Sequence, residues 1–221
     1  MHTTQRDIVD TVKIADPDDV ATAKELTAEA IEKVASSIEA AKDRAAAKAA
    51  PVLAGDDVLL THDFSTTVLA AIDDAVADGA TFEVYVTESR PRYHGRKMAR
   101  KLAERDAIDV TMAVDAAAGY YLSECDRVVV GIDCIVEDTL YNRIGTYPLA
   151  VAAAHEDVPM TAVGGDSKFV DGGFAFENEF RSPSEVLREP TDEFAIGNPA
   201  YDATPIELLD TVITDTEIEE F

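Results

Sequence analysis

The fold is decided by residues 58–87, VLLTHDFSTTVLAAIDDAVADGATFEVYVT. An apolar run at 58–61 predicts a short buried strand, and a helical pattern follows over 65–76 and ends at Gly79. Residues 81–87 then alternate between apolar and polar side chains, which is typical of a second strand. The stretch therefore predicts a strand–helix–strand unit whose two strands lie parallel in one sheet.

The same alternation of strands and helices continues along the chain. Three more strands and three more helices are predicted, the strands at 110–114, 127–131 and 160–163 and the helices at 93–105, 116–123 and 145–155. This order is typical of an α/β fold in which helices cover a parallel sheet. Ligands of such sheets bind at the carboxyl ends of the strands, so we expect the functional residues in the loops that follow them.

A helical region precedes the sheet. Asp16 can cap a helix, Pro17 suits its first position, and apolar residues then recur every three or four positions to about residue 49. One long helix, or two, is expected there. The chain is thereby divided into an N-terminal helical region, residues 1–52, and an α/β domain, residues 53–221, with a final helix near 205–213.

The chain is strongly acidic, with 44 aspartates and glutamates against 19 lysines and arginines and a net charge of −25. Such a surface repels phosphate backbones, so we expect no direct binding of nucleic acid. Only eight of the basic residues are lysines. Abundant carboxylates with few lysines suit a protein that stays hydrated in concentrated salt, and they point to a halophilic source organism.

Salt dependence tests this interpretation of the composition. We expect the midpoint of thermal unfolding to rise as KCl is added to molar concentration, because salt screens the repulsion among the carboxylates. Circular dichroism melts in a KCl series measure the effect. A midpoint that falls with added salt would favour the other interpretation, an ordinary acidic protein.

Several classes of function have no support in the sequence. A GxGxxG dinucleotide loop, a Walker phosphate loop and a GxSxG elbow are all missing, and we expect no cofactor. The four histidines and the cysteines Cys125 and Cys134 lack the spacing of metal ligands. No apolar run reaches the ~18–20 residues of a membrane span, and the start of the chain is polar, so we expect a cytoplasmic protein without membrane contact.

Candidate binding residues follow the first two strands. The loop after residues 58–61 holds His62, Asp63, Ser65 and Thr66. Ser65 is well placed to cap the next helix, whose free backbone N–H groups could bind an anion. A contact with a phosphate or a sugar hydroxyl is one interpretation of this loop, and a plain helix cap is the other.

The loop after residues 82–87 begins with Glu88, Ser89 and Arg90. Residues 88–105 hold seven of the 19 bases and only two acids, an unusual basic island in so acidic a chain. Because Arg90 leaves a strand end and can fork onto phosphate oxygens, we expect it to bind the ligand. The bases that follow at helical spacing are expected on a solvated surface or against acids of a partner subunit.

Polar residues also follow the strand at 127–131. Asp133 stands at its tip, where a carboxylate can act as a general acid or base or can simply brace a loop. Asn142 and Arg143 precede the next helix and could complete the floor of the same cleft.

Six segments occur in an order that resembles a known superfamily. They are Leu60-Thr-His-Asp-Phe-Ser65, Val84-Tyr-Val-Thr-Glu-Ser-Arg-Pro91, Val114-Asp-Ala-Ala-Ala-Gly-Tyr120, Val130-Gly-Ile-Asp133, Asn142-Arg-Ile-Gly-Thr146 and Asn198-Pro-Ala-Tyr-Asp-Ala-Thr-Pro205. Together they resemble the superfamily that joins the alpha, beta and delta subunits of translation initiation factor 2B to methylthioribose-1-phosphate and ribose-1,5-bisphosphate isomerases. The run that begins at Thr61 and the basic run at 95–99 look most like the alpha-type factor subunits.

The resemblance implies a Rossmann-like parallel sheet behind a short N-terminal helical region. It also implies a cleft for a phosphorylated sugar or nucleotide, and a homodimer or an assembly with related subunits. In the isomerases of this superfamily a cysteine and an aspartate move the proton. The aspartate matches Asp133, and the position of the cysteine holds Asp63 in this chain.

Three departures from the isomerases shape the predicted function. Asp63 replaces the cysteine, and the reference pKa of an aspartate is far below that of a thiol. Arg143 stands where a lysine is usual in the fifth segment, and no arginine- and glycine-rich phosphate loop precedes residue 55. They predict a non-catalytic factor subunit or paralogue, linked to translation initiation, that binds a sugar phosphate or nucleotide. The alternatives are a ribose-1,5-bisphosphate-type isomerase that uses Asp133 and Asp63, and an oligomerisation protein with a vestigial cleft.

Overall fold

The structure is a computed structural model that describes residues 2–53, 58–170 and 176–221. Its helices are α1 (His2–Ala15), α2 (Val20–Ala49), α3 (Thr66–Ala77), α4 (His94–Leu102), α5 (Ala118–Tyr121) and α6 (Thr146–His155). Its strands are β1 (Val58–His62), β2 (Phe82–Thr87), β3 (Ile108–Ala113), β4 (Arg127–Gly131), β5 (Cys134–Val136), β6 (Thr139–Arg143), β7 (Met160–Val163), β8 (Phe169–Val170), β9 (Tyr201–Pro205), β10 (Thr211–Ile213) and β11 (Ile218–Glu220). Over the described ranges, no helix combines the length and apolarity that crossing a membrane requires.

The larger sheet has the strand order β11-β10-β7-β4-β1-β2-β3, and all its pairs are parallel except β10 with β11. The chain builds outward from β1 to β3 on one side and then from β4 to β10 on the other. The order therefore reverses between β1 and β4, and their carboxyl ends open the crevice where ligands of such sheets bind. The predicted α/β fold is confirmed, and the loops after β1 and β4 lie side by side.

A second sheet of four short strands, in the order β8-β5-β6-β9, was not anticipated. Its hairpin, β5 and β6, leaves the tip of β4 and returns, which carries Asn142 and Arg143 back to the crevice. The predicted final helix at 205–213 is wrong. Those residues end β9, make a short turn and form β10, because the β-branched Thr211, Val212 and Ile213 pair in parallel with β7.

The N-terminal region contains two helices, broken between Ala15 and Val20. Asp19, and not Asp16, caps the second of them, since its side chain accepts a hydrogen bond of 2.9 Å from the Thr22 amide. Fully buried alanines on α2 pack into the same apolar core as α3 and the first face of the sheet. Small side chains permit this close approach, and α2 thereby forms one wall of the crevice.

Asp215 fastens α2 to the sheet. Its two carboxylate oxygens accept hydrogen bonds of 2.7 Å from Arg44 of α2 and from the backbone N–H of Asp166. Burial raises the pKa of the Asp215 carboxyl, but these hydrogen bonds outweigh burial and hold that pKa below its ordinary value. The ionised carboxylate therefore stabilises the folded chain.

We expect Asp215→Asn to lower the free energy of unfolding by about 1–3 kcal/mol at neutral pH, because the charged acceptor of the hydrogen bonds from Arg44 and Asp166 is lost. A carboxyl whose pKa is lowered by folding contributes stability above its unfolded pKa and loses it as the pH falls through its folded pKa. The difference between variant and wild type should therefore be smaller at a pH below the folded pKa of Asp215 than at neutral pH. Urea titrations at matched ionic strength measure it, with the exposed Asp109→Asn as control; an equal difference at both pH values would contradict the assignment.

Candidate functional site

A cavity of about 320 Å³ opens at the carboxyl ends of β1 and β4. Its walls come from α2, from the loop at 62–67, from residues 131–133, from β6 and from the turn at 165–168. Gly131 permits the close approach of the first two loops, since a Cβ atom there would lie 2.5 Å from the Ser65 hydroxyl. The cavity thus occupies the position that the sheet order favours for a ligand.

Arg143 lies at the charged centre of the cavity. Its Nε atom is 3.4 Å from Oδ2 of Asp63 and 3.1 Å from Oδ2 of Asp133. The Asp63 side chain is 11% exposed and that of Asp133 is 34% exposed, so the second carboxylate is the more accessible to a ligand. The buried Nη1 of Arg143 has no hydrogen-bond partner in the described part of the chain, which leaves a donor for a bound anion.

His94, the first residue of α4, completes this cluster. Its Nδ1 atom is 3.2 Å from Oδ1 of Asp63, whose other oxygen faces Arg143. The His94 side chain is 36% exposed and lines the cavity. Asp63 therefore lies between an imidazole and a guanidinium, in a backbone conformation with φ of +65°. Two carboxylates, an imidazole and a guanidinium thus lie together, groups that suit proton transfer and charge stabilisation.

His62 supports the site from beneath. Its Nε2 is 2.9 Å from the carbonyl oxygen of Ile144 and its Nδ1 is 2.7 Å from the Thr87 hydroxyl. A carbonyl can only accept, so Nε2 carries the proton and Nδ1 accepts from Thr87 in the neutral ring. Gly145 has φ of +109°, and a Cβ there would lie 2.7 Å from the imidazole. His62 lines the cavity, but its nitrogens are already engaged in holding three loops together.

The other residues predicted in the first loop and in β6 line the cavity. Ser65 caps α3 by accepting a hydrogen bond of 3.2 Å from the Val68 amide, so the helix-cap interpretation holds locally. Ser65, Thr66 and Asn142 nevertheless all face the cavity, and Asn142 is buried. A polar ligand in the cavity would meet these groups together with Arg143.

The residues predicted after β2 are not brought into this cavity. Glu88 accepts two hydrogen bonds from Arg96, at 2.7 and 3.2 Å, and Ser89 lies 3.2 Å from Nε2 of His62. Arg90 is exposed and donates to the carbonyl oxygen of Val186 at 3.1 Å. It lines a smaller neighbouring hollow that shares Asp63 and Arg143 with the main cavity. Their roles in binding stay predictions.

The 89–90 turn is set by an unanticipated contact. Both carboxylate oxygens of Asp115 accept backbone N–H groups at 2.7 Å, one from Ser89 and one from Arg90. Asp115 begins the short 3₁₀ helix that follows β3. The structure uses it to fix the turn, and this fixes the direction in which Arg90 leaves β2.

Two lysines that sequence reasoning missed line the cavity. Lys42 of α2 bonds Glu39, and this hydrogen bond raises the pKa of the Lys42 ammonium, which keeps it charged. Lys168 follows β7 and has no ion pair among the residues that the structure describes. The rule that function follows strand ends could have found Lys168. No local signal marks Lys42, because its helix reaches the crevice only through tertiary packing.

The model of the initiation factor 2 subunit family matches residues 3–218 of the chain. A curated ribose 1,5-bisphosphate isomerase from Haloterrigena turkmenica is 38% identical over 175 residues, which is 72% of this chain and 53% of that relative. The chain thus spans about half the length of the curated relatives it matches.

Solved structures agree with this match. The delta subunit of translation initiation factor eIF-2B from A. fulgidus superposes with a TM-score of 0.80 at 26% identity, over 97% of this chain and 68% of that one. A 5-methylthioribose 1-phosphate isomerase from Pyrococcus horikoshii shares the fold, with a TM-score of 0.77 at 24% identity over 96% of this chain and 65% of that one. The resemblance to a superfamily of factor subunits and sugar-1-phosphate isomerases is confirmed.

The prediction of a non-catalytic factor subunit is wrong. Six curated archaeal relatives, 35–38% identical to the chain, are all named ribose 1,5-bisphosphate isomerase. Asp63 in place of a cysteine is a single departure in a chain that is otherwise similar to these isomerases over about 72% of its length. The comparisons favour the alternative that was stated beside it, an isomerase.

Proposed function

Since the chain belongs to the initiation factor 2 subunit family, we propose that it is an aldose–ketose isomerase of sugar phosphates, of the ribose 1,5-bisphosphate type. The observation that carries the proposal is the convergence of Asp63 and Asp133 on one guanidinium, that of Arg143, inside the cavity. The names of the six curated relatives favour the same chemistry.

The reaction sets clear demands on the site. Converting ribose 1,5-bisphosphate to the ketose bisphosphate breaks the bond from C1 to the ring oxygen and moves protons. C2 and its hydroxyl each lose one proton, and C1 and the ring oxygen each gain one. An ionised carboxylate suits the carbon-bound proton and a second acid–base group must serve the oxygens. Asp133, the more accessible carboxylate, is proposed for the first task.

The phosphates need cations in a chain of net charge −25. The unpartnered Nη1 of Arg143 and the ammonium groups of Lys42 and Lys168 line the cavity and are proposed to bind them. Charged hydrogen bonds of this kind contribute about 1.5–3 kcal/mol each.

Direct assay tests the proposed function. The full chain is incubated in molar KCl with ribose 1,5-bisphosphate, and ketose formation is followed by carbon-13 NMR, with 5-methylthioribose 1-phosphate as the alternative substrate. Conversion of the bisphosphate supports the proposal. Turnover of the methylthio sugar alone would change the substrate class, and the absence of turnover with both would sink the isomerase.

The assembly is also a proposal. We infer a homodimer or an assembly with related subunits in the cytoplasm, as the resemblance to the initiation factor 2 subunit family implies. Light scattering coupled to size-exclusion chromatography in molar KCl measures the mass. A single species at the mass of one 23.8 kDa chain would contradict it.

A further inference from the structure

The pairing of His94 with Asp63 answers a chemical difficulty in the proposed reaction. The second acid–base group must give a proton to the ring oxygen near neutral pH. The reference pKa of an aspartate is about 3.9, so aspartate side chains are in general poor proton donors near neutral pH. Histidine, with a reference pKa of about 6.5, suits proton transfer in this range.

The geometry brings an imidazole to this place. His94 Nδ1 lies 3.2 Å from Asp63 Oδ1, and the Asp63 side chain is only 11% exposed. The other ring nitrogen, Nε2, has no hydrogen-bond partner among the described residues, and the side chain lines the cavity. The Asp63 carboxylate is within ion-pair distance of Nδ1, so it stabilises the imidazolium electrostatically, as carboxylates do beside histidines in other acid–base sites.

Asp63 is itself held in place. Arg143 lies 3.4 Å from its second oxygen, and the +65° φ of Asp63 turns the chain sharply at the end of β1. His94 is positioned by α4, whose second residue, Gly95, packs against the end of β2. The two partners thus come from different strand ends.

We propose that His94 is a further catalytic residue of this isomerase and that Asp63 is its positioning residue. The imidazolium gives the Nε2 proton to the ring oxygen as the bond from that oxygen to C1 breaks. Asp133 takes the proton from C2 and then delivers it to C1. The neutral imidazole finally takes the proton of the C2 hydroxyl. The two protons lost equal the two gained, and both side chains return to their starting states.

This inference rests on the proposed function and is tested beside it. We expect His94→Ala to lower kcat on ribose 1,5-bisphosphate by about 10²–10⁴-fold, the usual contribution of general acid–base catalysis, with KM changed by less than about threefold. Added imidazole should restore part of kcat in this variant. His155→Ala, which removes an exposed histidine at the end of α6, is the control and should match wild type.

The role of Asp63 is tested by a double-mutant cycle. Asp63→Asn should lower kcat in the wild-type background but add little in the His94→Ala background, because a positioning residue acts through its partner. His94→Gln, which keeps a polar side chain at the position, repeats the cycle if the alanine variant is poorly folded. A side chain that only braced the fold would give additive losses and no rescue by imidazole.

The outcomes separate the two proposals. An active wild type whose His94→Ala variant keeps kcat within about threefold, or loses activity that imidazole does not restore, overturns the role of His94 and leaves the isomerase standing. A wild type without turnover on either sugar phosphate overturns the proposed function, and the role of His94 falls with it.

Discussion

Replacing Asp133 with asparagine is expected to lower kcat on ribose 1,5-bisphosphate by at least about 10²–10⁴-fold, the range for loss of a general base. The amide has almost the same size and hydrogen-bonding reach, but it cannot take a proton from C2. Asp133 is the carboxylate of the central cluster that is 34% exposed, and its Oδ2 lies 3.1 Å from Arg143, so an asparagine should be accommodated without a change of fold. Steady-state kinetics of the full chain in molar KCl measure the loss.

Asp138→Asn is the control for this variant. Asp138 is exposed at the turn of the same β5–β6 hairpin, so its substitution should leave kcat unchanged. If Asp133→Asn keeps the wild-type kcat and instead raises KM, the carboxylate binds a sugar hydroxyl and the base must be sought elsewhere. Because Arg143 also pairs with Asp63, the melting temperature should fall little in this variant.

The buried strands of the larger sheet were predicted from the runs of apolar residues that form them. β1, β2, β4 and β7 all have buried patterns and lie where the apolar runs place them. The hairpin was missed because β5 has only three residues and β6, Thr139–Arg143, is mostly polar, so neither strand forms an apolar run. β10 was mistaken for helix because its strand character comes from pairing with β7, which lies fifty residues earlier.

Positions after strand ends predicted several residues of the site, and contacts between distant parts of the chain determined which of these residues meet. Asp63, Asp133 and Arg143 were chosen because they follow strands or precede a helix, and the structure brings them together. Arg90 also follows a strand, but Asp115 binds its amide and directs the side chain towards Val186. No pattern within the chain announces that contact, because the two residues are twenty-five positions apart.

The error about catalysis has a similar origin. A sequence shows which residue replaces a cysteine, but it does not show what lies beside the replacement. Asp63 alone is a poor substitute for a thiol, whereas Asp63 together with His94 provides an imidazole paired with a carboxylate. The partner lies thirty-one positions away, at the start of α4, and no local pattern in the sequence links the two residues.

The stability of this arrangement depends on Gly95. Among substitutions that add one methyl group in the α4 region, Gly95→Ala is expected to lower the free energy of unfolding most. A Cβ atom at this position would lie 1.8 Å from the carbonyl oxygen of Thr87 and 2.9 Å from its carbonyl carbon. Both are backbone atoms at the end of β2, so no side-chain rotation relieves the overlap. The helix must move away from the sheet, although Met98 and Leu102 on the same helix are fully buried in the core.

We expect Gly95→Ala to lower the free energy of unfolding by about 3 kcal/mol or more, at the upper end for overpacking, measured by urea titration in fixed KCl. Gly119→Ala is the matched control, since a Cβ at this exposed position in α5 meets nothing within 4 Å and φ is not positive. Alanine is the better helix former, so the control should be neutral or stabilised by up to about 1 kcal/mol. Because His94 adjoins Gly95, the Gly95→Ala variant should also lose turnover at temperatures where it is still folded. Equal free energies of unfolding for the two variants would show that α4 has room to shift, and that the position of His94 is set by something other than this contact.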